Sequence, residues 1–145
     1  MATTRNARAH WEGSLMEGSG TVEMSSSGIG TFPITWASRA EEANGRTSPE
    51  ELIAAAHASC FSMALSNGLA EAGTPVDSVK TDATVTLRVV DGAPTITSIA
   101  LTTVGVVPGL DDAAFKAAAD DAKKNCPVSK ALAGVGEITL EASLA

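Results

Sequence analysis

The stretch Thr47–Gly73, TSPEELIAAAHASCFSMALSNGLAEAG, decides the fold. Thr47 or Ser48 stands as a helix cap. Pro49 falls in the first turn, where its missing N–H costs nothing, and Glu50 and Glu51 set negative charge against the positive end of the helix dipole. Ile53, Ala56, His57, Cys60, Phe61, Ala64, Leu65 and Gly68 then recur at helical spacing, and Gly73 closes the run. Both flanks of that pattern are apolar as well, so the spacing predicts one long helix buried almost all round.

Upstream, Asn6–Ser14 around Trp11 reads as a strand, Glu17-Gly18-Ser19-Gly20 as a turn and Thr21–Ser25 as the return strand of a hairpin. A turn at Ser26–Gly30 leads to a short strand at Thr31–Trp36, and Ala37–Arg46 reads as a polar connection. Downstream, Val79, Ala83, Val85, Leu87 and Val89 alternate with Lys80, Asp82, Thr84, Thr86 and Arg88, and Asp91-Gly92 is a strong hairpin turn. Thr95–Val107 is the returning strand. Its Ile96 and Ile99 fall on opposite faces unless a bulge intervenes. Asp111 or Asp112 caps a helix running to about Asn125, with Phe115, Ala118, Ala119 and Ala122 inward. Pro127–Ala133 is a short helix ended by Gly134, and Ile138, Leu140, Ala142 and Leu144 form a last strand. Strands in runs, not alternating one by one with helices, predict an α+β fold with antiparallel sheets, as a single domain over residues 1–145.

Composition bounds the function. The net charge is −7 with no cluster of lysine and arginine, which argues against nucleic acid and against an anionic membrane as partner. Met1–His10 is polar and lacks an apolar signal region, and no stretch reads as approaching a transmembrane helix, so a cytoplasmic location is expected. There a structural disulfide is disfavoured, and a pair of thiols points to catalysis or sensing.

The chain has two cysteines. Cys60 lies within the long helix among Ala55, Ala56, Ala58, Phe61, Met63 and Ala64. Cys126 directly precedes Pro127 at a helix start, where N–H groups and the dipole favour a thiolate. At about 100° per residue, Glu50, Ile53, His57 and Cys60 share one quarter of the long helix, so one stripe carries a carboxylate, an imidazole and a thiol. A buried Glu50 needs a partner, because an unpaired buried charge is costly. Arg39 and Arg46 are the nearest candidates, and a guanidinium held there could support the Cys60 thiolate. Each residue also has a plainer role: Cys60 as a small core residue, Cys126 as a cap, His57 as a satisfied core histidine, Glu50 and Glu51 as helix starters.

The run Thr47–Leu65 closely resembles the central helix of the OsmC branch of the OsmC/Ohr peroxide-resistance family. So does Asn125-Cys126-Pro127-Val128-Ser129-Lys130-Ala131-Leu132, and so do Ala9-His10-Trp11-Glu12-Gly13 and Ala43-Asn44-Gly45. This resemblance implies antiparallel sheets packed around a long central helix in an intertwined homodimer, with active sites at the subunit interface. It implies a thiol peroxidase that reduces organic hydroperoxides to alcohols without haem, flavin or metal, serving stress resistance. By the same resemblance Cys60 is the peroxidatic cysteine and Cys126 the resolving one, pairing as a disulfide that a dithiol reductant, such as a lipoyl-type dithiol, reopens. Arg39 matches the arginine at the thiolate and Glu50 the glutamate that holds it. The run Trp36-Ala37-Ser38-Arg39 carries alanine where relatives often have phenylalanine, so Arg46 stays an alternative. Phe61 and Met63 are candidates to line the site toward an organic tail. A zinc module built on Cys60, Cys126 and the histidines lacks CxxC or HxxxH spacing, and a non-enzymatic binding protein would show no cysteine-dependent turnover.

Overall fold

The computed structural model describes residues 1–145, and the chain forms two compact units, Met1–Leu52 and Ile53–Ala145. In the first, β1 (Arg8–Glu12), β2 (Ser19–Glu23) and β3 (Thr31–Ile34) make an antiparallel meander in the order β1-β2-β3. Trp11 pairs with Gly20, and a Cβ on that glycine would stand 2.8 Å from Cε3 of the indole. The missing side chain is what lets the ring lie across the neighbouring strand.

The expected polar connection after β3 contains a helix instead, α1 (Trp36–Ala40). Thr35 and Ser38 form a reciprocal capping box, each side chain bonded to the other's backbone N–H at 3.0 Å. The Ser38 hydroxyl also reaches the Thr47 carbonyl at 3.1 Å. Thr47 in turn bonds its N–H to the Pro33 carbonyl and forms a parallel bridge to Ile34. These contacts fold the Glu41–Arg46 loop back and bring the start of the long helix beside α1.

That helix, α2 (Pro49–Glu71), begins in the first unit and continues into the second. Ser48 is the cap: its hydroxyl accepts from the Glu51 N–H at 3.1 Å. At the other end the Thr74 N–H bonds to the Leu69 carbonyl and the Gly73 N–H to the Ala70 carbonyl, with Gly73 at φ +82°, a Schellman closure. Burial corrects the sequence expectation. Only one stripe of α2 is buried within the chain, through Glu50, His57, Phe61, Leu65 and Leu69, while Ala55, Ala56, Ser59, Met63 and Asn67 stay exposed. α2 is also, by length and composition, able to span a bilayer, against the reading that no stretch approaches that length. In the fold it serves as a core helix, with Phe61, Leu65 and Leu69 packed in the second unit.

The second unit is a three-stranded sheet ordered β4-β5-β6, made of β4 (Ser78–Val90), β5 (Ala93–Val106) and β6 (Glu137–Leu144), with α3 (Asp112–Asn125) and α4 (Pro127–Ala131) between β5 and β6. Asp91 and Gly92 both take positive φ, +50° and +81°, as a two-residue hairpin turn requires. The register shifts between Thr86 and Leu87, leaving Thr97 as an extra residue on β5. This bulge brings Ile96 and Ile99 into one phase. The last strand departs from the antiparallel expectation: β6 runs parallel to β5, because the α3–α4 connection crosses over the sheet and re-enters it in the same direction. Asp111 caps α3 by accepting from the Ala114 N–H at 2.8 Å. The core joins Phe61, Leu65 and Leu69 of α2, Ile99 and Leu101 of β5, Phe115, Ala119 and Ala122 of α3, and Cys126. A satisfied hydroxyl chain ties α2 to this sheet: Ser62 donates to Thr81 at 2.8 Å, and Thr81 meets the buried Thr103 at 3.0 Å.

Candidate functional site

In the first unit, α1 presents Arg39 and the first turn of α2 presents Glu50. Arg39 Nε lies 3.0 and 3.1 Å from the two carboxylate oxygens, and its Nη2 lies 2.9 Å from Oε1. The Glu50 side chain is 9% exposed and that of Arg39 31%, so the ion pair is shielded on the carboxylate side and open on the guanidinium side. The sequence left Arg39 and Arg46 as alternatives for Glu50; the pair forms with Arg39, and Arg46 is exposed. The guanidinium also stands over the Trp36 ring, 5.8 Å from its centroid, within reach of a cation–π contact. Trp11, Leu15, Ile34, Thr35, Trp36, Arg39 and Pro49 enclose a cavity of about 270 Å³ whose walls are apolar except around the guanidinium.

In the second unit, Cys60 of α2 and Cys126 at the head of α4 are both free thiols, near enough for each to shift the ionisation of the other. Cys126 is fully buried and Cys60 only partly. Pro127 occupies the first turn of α4 as expected, with Cys126 at the N-cap position, where its side chain makes no capping hydrogen bond. Burial pushes the Cys60 thiol up, and its own S–H donation to Cys126 adds to that, against one favourable N–H from Val128. Burial opposes ionisation of Cys126 too. The Ser129 N–H, the Cys60 thiol, the Ser129 hydroxyl and the Val128 N–H together outweigh it and bring Cys126 below the ordinary thiol range. Within this unit Cys60 is the more accessible sulfur.

His57 is fully buried one turn before Cys60 on α2, and its Nε2 lies 2.7 Å from Ser129 Oγ. Burial holds its pKa below the usual value, so the ring is neutral at neutral pH. Phe61 does not line a site as the sequence suggested, because it is wholly inside the core; Met63 is exposed. No three histidine, cysteine or carboxylate side chains are grouped so as to hold a metal ion.

Residues 42–141 match the family described as OsmC-like protein. The chain belongs to the OsmC-like family. It is 45% identical over 144 residues to the Peroxiredoxin OsmC of Escherichia coli (strain K12), covering 99% of each protein. The fold is similar to that of an organic hydroperoxide resistance protein OsmC from Legionella pneumophila, with TM-score 0.75, 23% identity and 98% of this chain and 99% of that one covered. It is likewise similar to OhrB, the organic hydroperoxide resistance protein of Bacillus subtilis, with TM-score 0.72, 25% identity and coverage of 97% and 98%.

Two features, one in each unit, escaped the sequence reading. Ser129 sits three residues after Cys126, a spacing that places it one helical turn away, yet nothing in the sequence says that its hydroxyl faces His57. The apolar cavity around Trp36 depends on α1, whose Thr35-x-x-Ser38 cap was the available signal.

Proposed function

We propose that this protein is a cysteine-based peroxidase that reduces organic hydroperoxides to alcohols in stress resistance. The observation that carries this reading is the pair of free thiols in one unit, of which Cys60 is partly exposed and Cys126 fully buried. A relative named a peroxiredoxin, 45% identical over nearly the whole chain, supports it. A peroxide can meet Cys60 but not Cys126, so Cys60 is the peroxidatic sulfur. Its thiolate attacks the distal peroxide oxygen. The O–O bond breaks, the electron pair leaves with the alkoxide, and a proton completes the alcohol. The resulting Cys60 sulfenic acid is attacked by Cys126: a disulfide forms and water leaves. A dithiol, of the lipoyl type in our reading, then exchanges with the disulfide and restores both thiols.

Because burial raises the Cys60 thiol, fast attack at neutral pH needs a cation. In this reading Arg39, held in place by Glu50, supplies it, and the apolar cavity beside Arg39 receives the organic tail. No flavin, haem or metal takes part. The protein acts as a homodimer, which covers the open apolar surface left by a single chain at Met63, Val104 and Val106; a well-folded monomer in light scattering at micromolar concentration would refute the dimer.

The test is consumption of cumene hydroperoxide with dithiothreitol, dihydrolipoamide and glutathione compared side by side, with mass spectrometry after one equivalent of peroxide. Cys60→Ser removes reduction. Cys126→Ser reacts once and stops at a sulfenic or more oxidised Cys60. Full turnover by Cys60→Ser would sink the assignment.

A further inference from the structure

The peroxidase reading leaves one buried titratable group without a task. His57 is fully buried on α2, and its Nε2 lies 2.7 Å from the hydroxyl oxygen of Ser129 on α4, 72 residues away. Its Nδ1 is also buried and has no hydrogen-bond partner. The neutral ring carries one proton, and a buried N–H without an acceptor is rarer in proteins than a buried acceptor without a donor. The proton therefore sits on Nε2, and His57 donates to Ser129. Ser129 is the one buried residue among the five of α4. So short a helix has little stability of its own and holds its place through its contacts.

Each end of this bond stands three residues from a thiol. Three residues are nearly one helical turn, which returns a side chain to about the same face. Cys60 follows His57 on α2. Cys126 precedes Ser129, and the Lys130 N–H bonds to the Cys126 carbonyl at 3.1 Å, closing the first turn of α4. Both thiols pack into the core that the bond crosses. A 2.7 Å contact on one turn thus limits how far the sulfurs on the next turn can separate. Without it, α4 keeps only its apolar contacts, through Val128 and Leu132.

We propose that His57 is a positioning residue for disulfide formation: its bond to Ser129 latches α4 onto α2 and keeps Cys126 within reach of Cys60. This rests on the reading of Cys60 and Cys126 as a disulfide-forming pair. Two thiols held in one geometry react as if at very high concentration, and loosening α4 lowers that effective concentration. His57 and Ser129 exchange no proton with the sulfurs; the latch acts on position alone.

The experiment measures the redox equilibrium of the thiol pair in glutathione buffers. Cys60 and Cys126 each give up one proton and one electron as they join, and glutathione disulfide becomes two glutathione thiols. The remaining protein thiols are alkylated, and intact mass gives the fraction joined. His57→Leu and Ser129→Ala each lower the equilibrium constant for joining about tenfold, the size of one net hydrogen bond. That is a rise of about 30 mV in reduction potential. The double variant loses no more than either single one, since both remove the same bond. His57→Gln, which keeps an N–H near the position of Nε2, and Ser129→Thr, which keeps the hydroxyl, restore the parent potential. A general loosening of the core would add in the double variant and would not be rescued by Gln. If His57→Leu fails to fold by circular dichroism, Ser129→Ala, which removes a single oxygen, is judged against Ser129→Thr on the same terms. A parent potential in Ser129→Ala or in a folded His57→Leu overturns the latch, and so does an additive double variant. A parent chain that forms no Cys60–Cys126 disulfide in these buffers defeats the pairing, and the latch with it. The equilibrium uses no peroxide, so a tenfold shift in a protein that reduces no hydroperoxide would sustain the latch and defeat the peroxidase reading alone.

Discussion

Removing the Arg39 guanidinium should expose how firmly Glu50 holds it. The pair has three N···O distances between 2.9 and 3.1 Å, a carboxylate side chain 9% exposed and a guanidinium side chain 31% exposed. At about 4 Å between charge centres and an effective dielectric of about 20, the attraction is about 4 kcal/mol before desolvation and side-chain ordering are subtracted. Breaking a fully buried pair costs about 3–5 kcal/mol, and an exposed one contributes about 0–1 kcal/mol. The open side of Arg39 places this pair between those limits. Arg39→Met should therefore destabilise the protein by about 2–3 kcal/mol, mostly by leaving Glu50 unpaired, and Glu50→Gln by about 1–2 kcal/mol. In a double-mutant cycle followed by urea unfolding at fixed protein concentration, the coupling should be about 1.5–2.5 kcal/mol. Arg39→Lys keeps the charge but not the two-pronged geometry and should retain less than half of that coupling. A coupling below about 0.5 kcal/mol would refute the reasoning, since the pair would then behave as a solvent-screened surface contact and Glu50 could not be what holds the guanidinium for the thiolate. The same variants report on chemistry. Arg39→Ala should raise the Cys60 midpoint and slow peroxide reduction, Glu50→Gln should do so less, and unchanged values in both would separate Arg39 from the thiolate.

Gly105→Ala tests the core of the second unit, because a Cβ there would lie 2.5 Å from Cε2 and Cζ of the fully buried Phe115. It should cost about 1–3 kcal/mol by overpacking, and Phe115→Leu in the same chain should recover part of the loss; equal stability of Gly105→Ala and parent in urea would contradict the packing. Acid should act through His57. Its folded pKa lies below the ordinary 6.5, so the unfolded chain binds the extra proton first as pH falls. This contribution to stability is level above about pH 6.5 and declines below it. His57→Gln should flatten that part of the urea-midpoint profile, and an identical acid limb in parent and variant would rule out a neutral buried imidazole.

Much of this protein was settled by local chemistry that a reader of the sequence can follow. Ser48-Pro49-Glu50-Glu51 starts α2 and Gly73 ends it, Asp91-Gly92 makes the hairpin, and Asp111 caps α3. Each is decided by neighbours within a turn, through caps, dipoles and positive φ. The α+β class followed from strands occurring in runs, and Pro127 located Cys126 at the head of a helix. What the tertiary structure alone decided were choices between partners equally near or very far along the chain. Arg39 and Arg46 are both close to Glu50 in sequence. α1 and the Ser38–Thr47 contact select Arg39, by bringing its helix against the start of α2. His57 and Ser129 are 72 residues apart and meet only because α2 and α4 share one core. The direction of β6 was hidden for the same reason: alternation says which face a strand buries but not which way it runs, and the crossover through α3 and α4 makes it parallel to β5. The one-sided burial of α2 was misjudged because alanine is apolar yet small. Ala55 and Ala56 satisfy a hydrophobic pattern without requiring a partner, so periodicity could not say which apolar face the chain itself would cover.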